Sequence, residues 1–339
     1  MASEAENANQ APDEESIISD FFVPLARDWP GAYGLADDCA TIAVAPGHEL
    51  VIKTDPIRAG VHFFSDDSPA DIAWKALAVN VSDLASKAAR PVAYTLAISF
   101  PEQPSRSWLG DFTAGLSEAQ EHFGCGLIGG DTDHATGPMS LAITVLGEVP
   151  IGKMVRRVTP SVGDRIFVSG TLGDAALGLR IRANMVDGKK PEQMTDHESL
   201  LVDRYLRPKP YLELRSALRA YATAAMDLSD GLGKDLGRMC RASGTGAAVY
   251  EPDIPLSDAF MAVAPESLEE RRSLISSGDD YEVLCTVRAD NVANFVALAA
   301  SGGVVVTEIG IVRTEPGVTI IDKAGEAQDW AGRGYDHFS

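Results

Sequence analysis

Apolar positions along this chain recur at two spacings. Ile17, Ile18, Phe21, Phe22 and Leu25 form a stripe with helical period, and so do Trp74, Leu77, Ala78, Val81, Leu84 and Ala85 within Asp71 to Ala89. Helices are also predicted over Trp108 to Phe123, from Leu212, along Leu232, Leu236, Met239 and Cys240, and over Asn291 to Ala300. Pro69 suits the first turn of its helix, where its missing N–H costs nothing. Shorter apolar runs predict strands at Thr41–Val44, Leu50–Thr54, Val92–Phe100, Leu127–Ile128 and Leu141–Val149 in the first half. In the second half they fall at Asp164–Ser169, Gly246–Tyr250, Glu282–Val287, Val304–Ile309 and Val318–Ile321. Pro46-Gly47 suits a hairpin turn, and Pro56, having no donor, is expected to end the strand before it. Met185 to His197 reads as a surface excursion and Arg204 to Pro210 as a Pro-interrupted basic turn. Strands mixed with helices point to an α/β chain of α+β character.

The ends of these elements are acidic. In Met226-Asp227-Leu228-Ser229-Asp230-Gly231-Leu232 a strand hands over to a helix, which is where open α/β folds place ligands. Asp37-Asp38 follows Gly34, Asp55 ends an apolar run, Asp83 lies near the buried side of a helix, Asp131 follows Gly129-Gly130, and Asp279-Asp280 follows Gly278. One such stretch would be a helix cap. Repeated carboxylates beside buried segments call for a compensating charge. Oxygen-only donors suit a hard cation, and magnesium bridges carboxylates to phosphate oxygens.

Length changes the picture by suggesting two domains in 339 residues. The boundary falls in Pro150 to Pro160, whose Lys153, Arg156 and Arg157 form a basic island suited to phosphate. This divides the chain into an acidic leader, expected to be disordered, at 1–15, a first domain at 16–152 and a second at 153–339. A net charge of −20 argues against nucleic acid and anionic membranes as partners. No apolar run is long enough to span a bilayer. Cys39, Cys125, Cys240 and Cys285 lie far apart in apolar contexts, which suggests buried free thiols in a reducing cytoplasm. A P-loop, the kinase H-R-D and D-F-G pair, a G-x-S-x-G elbow and zinc spacing among the histidines are all absent. The residues alone therefore describe a protein that handles a phosphorylated ligand through divalent metal.

The order of motifs is more specific. It runs Gly34-Leu-Ala-Asp-Asp-Cys-Ala, Thr54-Asp55, Ala59-Gly60-Val61-His62-Phe63, Lys75 to Ala85, Ile128-Gly-Gly-Asp-Thr132, Met226 to Leu232, Ser277 to Glu282 and Gly334-Tyr-Asp-His-Phe338. This series resembles the thiamine-monophosphate kinases, members of the aminoimidazole ribonucleotide synthetase-like superfamily, over nearly all of the chain after the leader. The resemblance implies that superfamily's two-domain fold, with a mixed N-terminal sheet and a C-terminal α/β domain. It implies ATP-dependent phosphorylation of thiamine monophosphate, with several magnesium ions, in a homodimer formed through the N-terminal domains. By the same resemblance Asp38, Asp55, Asp83, Asp131, Asp227 and Asp230 are metal ligands, with Lys53 and Thr54 contributing backbone or hydroxyl oxygen. Gly130, Asp131, Arg157 and Ser229 face ATP; His62, Asp279 and Tyr335 face the acceptor; Asp131, Asp230 and Arg157 are catalytic. Asp38, Asp83 and Asp227 are expected to converge on one metal cluster.

Ala36, Lys53, Pro56 and Asp279 depart from the family's usual residues, and the turn from Thr132 to Gly137 is slightly long. An alternative is a superfamily enzyme acting on a different small phosphorylated or amide substrate. A non-catalytic, metal-stabilised interaction protein is the third reading. The leader segment Met1 to Ala11 is charged, lacks apolar periodicity and matches nothing in the family. Deleting it is expected to leave turnover and melting temperature unchanged; a loss of either would show that it docks.

Overall fold

The structure, a computed structural model, describes residues 12–186 and 193–335. The leader Met1–Ala11, part of the Met185–His197 excursion, and Asp336, His337 and Phe338 lie outside them. The chain forms two compact units, one of residues 1–84 and 90–151, the other of 85–89 and 152–339.

The first unit begins with a helical run, α1, composed of Glu14–Ile17, Ile18–Phe22 and Val23–Ala26. Asp13 caps it by accepting from Ser16 N–H at 2.9 Å, and Gln103 Nε2 donates to Pro12 O at 2.9 Å. Residues 12–15, expected to be disordered, therefore belong to the fold: a capping carboxylate and a long-range hydrogen bond hold them. After β1 (His48–Arg58) come α2 (Pro69–Ser86), β2 (Arg90–Phe100), α3 (Arg106–Phe123), β3 (Gly126–His134) and β4 (Ser140–Pro150). The sheet order is β1-β4-β2-β3. Strands β2 and β3 run parallel, as a crossover through α3 requires; the other pairs are antiparallel. Leu77, Val81 and Leu84 of α2 and Leu141, Ile143 and Val145 of β4 are buried, each contributing roughly 1.5–3 kcal/mol. Alternation sends Ile52, Thr54 and Pro56 of β1 to the sheet's other face, where they are exposed.

Three local readings are corrected. Thr41–Val44 is no strand and Pro46-Gly47 makes no hairpin, because Thr41 N–H donates to Gly31 O at 2.9 Å instead of to a ladder. Pro56 does not end β1, whose pairing continues to Arg58 opposite Ser140; β1 is an edge strand, where proline is tolerated. Strand β3 does not stop at its glycines but runs to His134. Gly130 is required there by close approach, since a Cβ would lie 1.9 Å from Leu96 O on β2.

The second unit carries β5 (Arg165–Ser169), α4 (Asp174–Val186), α5 (Asp196–Leu206), α6 (Arg215–Tyr221), β6 (Ala222–Asp227), α7 (Leu232–Ser243) and β7 (Gly246–Tyr250). It continues with α8 (Asp258–Val263), α9 (Leu268–Ile275), β8 (Val283–Val287), α10 (Val292–Ser301), β9 (Val306–Arg313), β10 (Gly317–Ile321) and β11 (Ala327–Asp329). The order β11-β10-β7-β9-β5-β8-β6 is mixed, with β7 and β10 parallel. Both faces are covered. Ile166, Val168 and Leu284 join Leu232, Leu236 and Met239 of α7, whereas Phe167, Val283 and Cys285 join Leu218 of α6 and Phe295 of α10. Ala88 packs in this second cluster, and Lys87 Nζ donates to Ala225 O at 2.6 Å, which is why 85–89 belong to this unit.

Helices α5, α8 and α9 have no counterpart in the sequence reading. Helix α5 starts with a reciprocal capping box between Thr195 and Glu198. Thr195→Ala should lower unfolding stability by about 1 kcal/mol, read from urea midpoints at constant slope; no change would mean that tertiary packing alone holds α5.

Candidate functional site

In the first unit a cavity of about 260 Å³ opens between α1 and β3. Ile18, Phe22 and Leu127 give it an apolar side; Glu14, Asp37, Asp38 and Asp131 give it carboxylates, with Gly129, Gly130 and Cys39 between. The structure thus brings Asp38, Gly130 and Asp131 together, and adds Glu14, Asp37 and Cys39, which the sequence did not assign. Cys39 is exposed, contrary to the expectation for all four cysteines, because it follows the irregular Pro30–Leu35 turn and not a packed element. Cys125, Cys240 and Cys285 are buried, and burial pushes the Cys125 thiol up to about 12.

A second cluster lies where β1 passes α2. Lys53 and Asp55 share one face of β1, and Asp83 comes from α2. Lys53 Nζ is 3.0 Å from Asp55 Oδ2 and 2.8 Å from Asp83 Oδ2. Burial disfavours the ammonium, yet the two carboxylates, Asp83 above all, outweigh it and hold the Lys53 pKa above the ordinary lysine value. The Lys53 side chain is therefore a cation among the acids. Thr54 points to the other face, where its hydroxyl meets Thr144 Oγ1 at 2.7 Å. His62 closes the end of β1: Arg58 N–H donates to its Nδ1 at 3.1 Å, which leaves the ring proton of the neutral imidazole on Nε2.

In the second unit Ser229, Asp230, Asp279 and Tyr335 meet through their backbones. Asp279 N–H donates to Ser229 O and Tyr281 N–H to Leu228 O, both at 2.9 Å, and Leu228 N–H returns a bond to Glu282 O at 2.8 Å. Tyr335 N–H donates to Asp230 O at 3.0 Å, and Lys234 Nζ donates to Tyr335 O. The loops touch so closely that a Cβ on Gly278 would sit 2.3 Å from Ser229 O. Asp279 and Tyr281 take positive φ values of 67° and 52°, a conformation held only where surroundings over-determine it. Asp227 ends β6 and is buried.

Helix α7 fixes this loop through residues not singled out beforehand. Asp235 Oδ2 accepts from Ser229 N–H at 3.1 Å and Asp230 N–H at 2.9 Å. Arg238 Nη1 lies 2.5 Å from Asp230 Oδ2 and 2.8 Å from Asp235 Oδ1. The i, i+3 spacing of Asp235 and Arg238 beside an acidic loop is the signal that could have revealed them. Arg157 is exposed, and the segment bearing it lies along the edge strand β6, where Ala225 N–H donates to Arg156 O at 3.2 Å.

Donor chemistry decides which acids suit magnesium. Among the described residues no group of three or more His, Cys, Asp or Glu side chains is gathered to hold a metal ion. Asp83 meets Lys53, and Asp227 is buried at the end of β6. Asp38 and Asp131, lining one open cavity, fit an ion bound by one or two carboxylates that takes its remaining ligands from phosphate and water. Asp55 and Asp83 do not fit one, since an ammonium stands between them.

Two sheet-based units with aspartates on or beside their strands define a class. Residues 36–149 match AIR synthase related protein, N-terminal domain, and residues 161–323 match AIR synthase related protein, C-terminal domain. Within that class the chain belongs to the thiamine-monophosphate kinase family. It is 39% identical to the thiamine-monophosphate kinase of Caulobacter vibrioides over 302 residues, covering 88% of this chain and 84% of that one. The crystal structure of thiamine-monophosphate kinase from Stenotrophomonas maltophilia superposes with a TM-score of 0.78 at 39% identity, covering 87% and 91%. AaThiL complexed with AMPPCP and TMP superposes at 0.74 with 27% identity, covering 90% and 97%.

Beneath the Asp279 loop lies a buried acidic network. Asp280 accepts from Gly173 N–H at 2.9 Å and Ala175 N–H at 3.3 Å. Glu282 accepts from Ser169 Oγ and Arg204 Nη2, both at 2.5 Å. Burial pushes Asp280 up to about 8, against the Gly173 hydrogen bond and Arg204, and Glu282 up to about 7, against Arg204. A raised carboxyl pKa means that the native state keeps a proton the unfolded chain has released, so stability is lost as pH climbs from about 4 through the folded values. The melting temperature should fall between about pH 4 and 8, and Asp280→Asn should flatten that slope. Parallel slopes for both proteins would show that Asp280 is ionised throughout.

Proposed function

We propose that this chain transfers the γ-phosphoryl group of ATP to thiamine monophosphate, giving thiamine diphosphate and ADP. The observation that carries the reading is family membership over most of the chain, joined to loops built from the family's Asp227–Gly231 and Gly278–Glu282 stretches. The acceptor needs no protein base. A phosphate monoester has its second pKa near ~6, so at neutral pH it is mostly the dianion and can attack directly. What remains for the protein is alignment and charge neutralisation.

We assign nucleotide binding to Gly130 and Asp131 of the first unit's cavity and to Ser229 and Arg157 of the second unit. Arg157, exposed and on a segment tied to β6, is suited to clamp a phosphate. Asp38 and Asp131 would hold magnesium in the first unit, and Asp227 is the candidate ligand of the second. The bound ion supplies charge neutralisation on the transferring group. Asp230 keeps its carboxylate fixed through Arg238, and Asp235 fixes the Ser229 and Asp230 amides. His62, Asp279 and Tyr335 are assigned to the acceptor, an aromatic ring being suited to a cationic heterocycle. Three buried free thiols accord with a reducing cytoplasm. The open face of the first sheet, where Ile52 is 61% exposed, is the surface we assign to homodimer contact.

The decisive measurement is chromatographic detection of thiamine diphosphate from ATP, magnesium and thiamine monophosphate. Product is expected, with ADP release dependent on the acceptor. Folded protein that yields none at saturating substrates would overturn the proposal. Tyr335→Ala should raise the apparent constant for thiamine monophosphate more than that for ATP.

A further inference from the structure

We infer that Lys53 is a resident cation, its ammonium occupying the point between Asp55 and Asp83 that a divalent ion would otherwise take. The inference rests on the reading of this chain as a metal-dependent phosphotransferase. It goes further by subtracting an ion from the site and assigning its charge to the protein.

The geometry is specific. Two carboxylates, from β1 and α2, direct one oxygen each at a single nitrogen, at 3.0 and 2.8 Å. Side-chain exposure is 33% for Lys53, 39% for Asp55 and 23% for Asp83, so the group is partly withdrawn from water and still open to a ligand. Asp55 is further fixed from behind. Its backbone N–H donates to Asn80 Oδ1 at 2.8 Å, and Asn80 is fully buried on α2. Strand and helix are thus held in register at the level of the two acids.

Magnesium binds oxygen at about 2.0–2.1 Å. An ion drawn to the two oxygens that now hold the ammonium competes with it for the same acceptors and the same charge. A lysine ammonium also carries half the charge of the ion and offers donors but no coordination sites. It offsets one of the pair's two negative charges at any magnesium concentration, and it can hydrogen-bond a phosphate oxygen without bridging two of them. Lys53 is therefore a positioning residue for the acids and a fixed positive charge at the mouth of this cluster.

The test is the number of Mn²⁺ ions bound per chain in the presence of saturating AMPPCP, measured from free Mn²⁺ by electron paramagnetic resonance. Lys53→Gln should bind one ion more than wild type. Without AMPPCP, its melting temperature in EDTA should fall below that of wild type and recover on adding Mn²⁺. Equal counts in the two proteins, or a melting deficit that Mn²⁺ leaves untouched, would overturn the inference. Should Lys53→Gln fail to fold, Asp55→Asn in the wild-type background decides. An unchanged ion count supports a lysine-filled point, and loss of one ion shows that a metal was bound there. A wild type that binds Mn²⁺ but makes no thiamine diphosphate would refute the catalytic proposal and leave this one standing.

Discussion

The hydrogen bonds that Leu228 and Ser229 exchange with Asp279, Tyr281 and Glu282 set the geometry of the second unit's two acidic loops. They continue the pairing of β6 and β8 past the ends of both strands, at the place where each chain segment turns away. Two turns that would otherwise be independent surface loops become one rigid body. The left-handed backbone at Asp279 and Tyr281 is affordable only because both of their amides are satisfied on the opposite loop. Helix α7 then fixes the same loop from the other side through Asp235. The role proposed for these loops, alignment to within fractions of an ångström, needs such support.

Electrostatics divides the acids into three kinds. Asp37, Asp38 and Asp131 face an open cavity and remain available to a ligand's counter-charge. Asp230 and Asp235 have theirs from Arg238, while Glu282 has Arg204. Asp55 and Asp83 share Lys53. A chain with 49 acidic and 29 basic residues cannot supply a cation to each carboxylate. The arrangement concentrates the available cations on acids that shape the fold and leaves the cavity acids for an incoming one.

Much of this was legible in the sequence, for identifiable reasons. Helices with a clear apolar stripe, such as α2 and α3, and strands with both faces buried, such as β8, declare themselves because periodicity survives without context. Thr41–Val44 misled because β-branched residues favour extended backbone whether or not a partner strand exists. Pro56 misled because its cost depends on edge position, which is a property of the sheet and not of the residue. Helices α8 and α9 are short, with caps at Ser257 and Ser267 that become informative only when the helix is known. At the site, motif order carried the family, and the Asp227–Gly231 and Gly278–Glu282 loops do meet. The role of Lys53 was not legible, because an i, i+2 lysine and aspartate on a strand say nothing of a second acid 28 residues beyond Asp55.

Cys39 gives the first unit a chemical address. It lines the cavity and is exposed, whereas the other three cysteines are buried, with their thiols pushed toward the unreactive protonated form. A maleimide dye or a spin label offered to the native protein therefore has one place to go, beside Asp38, with no engineered residue needed. The natural sequence comes with a reporter position built into the cavity, and occupancy there can be followed as light or as a resonance line, in real time and without turnover.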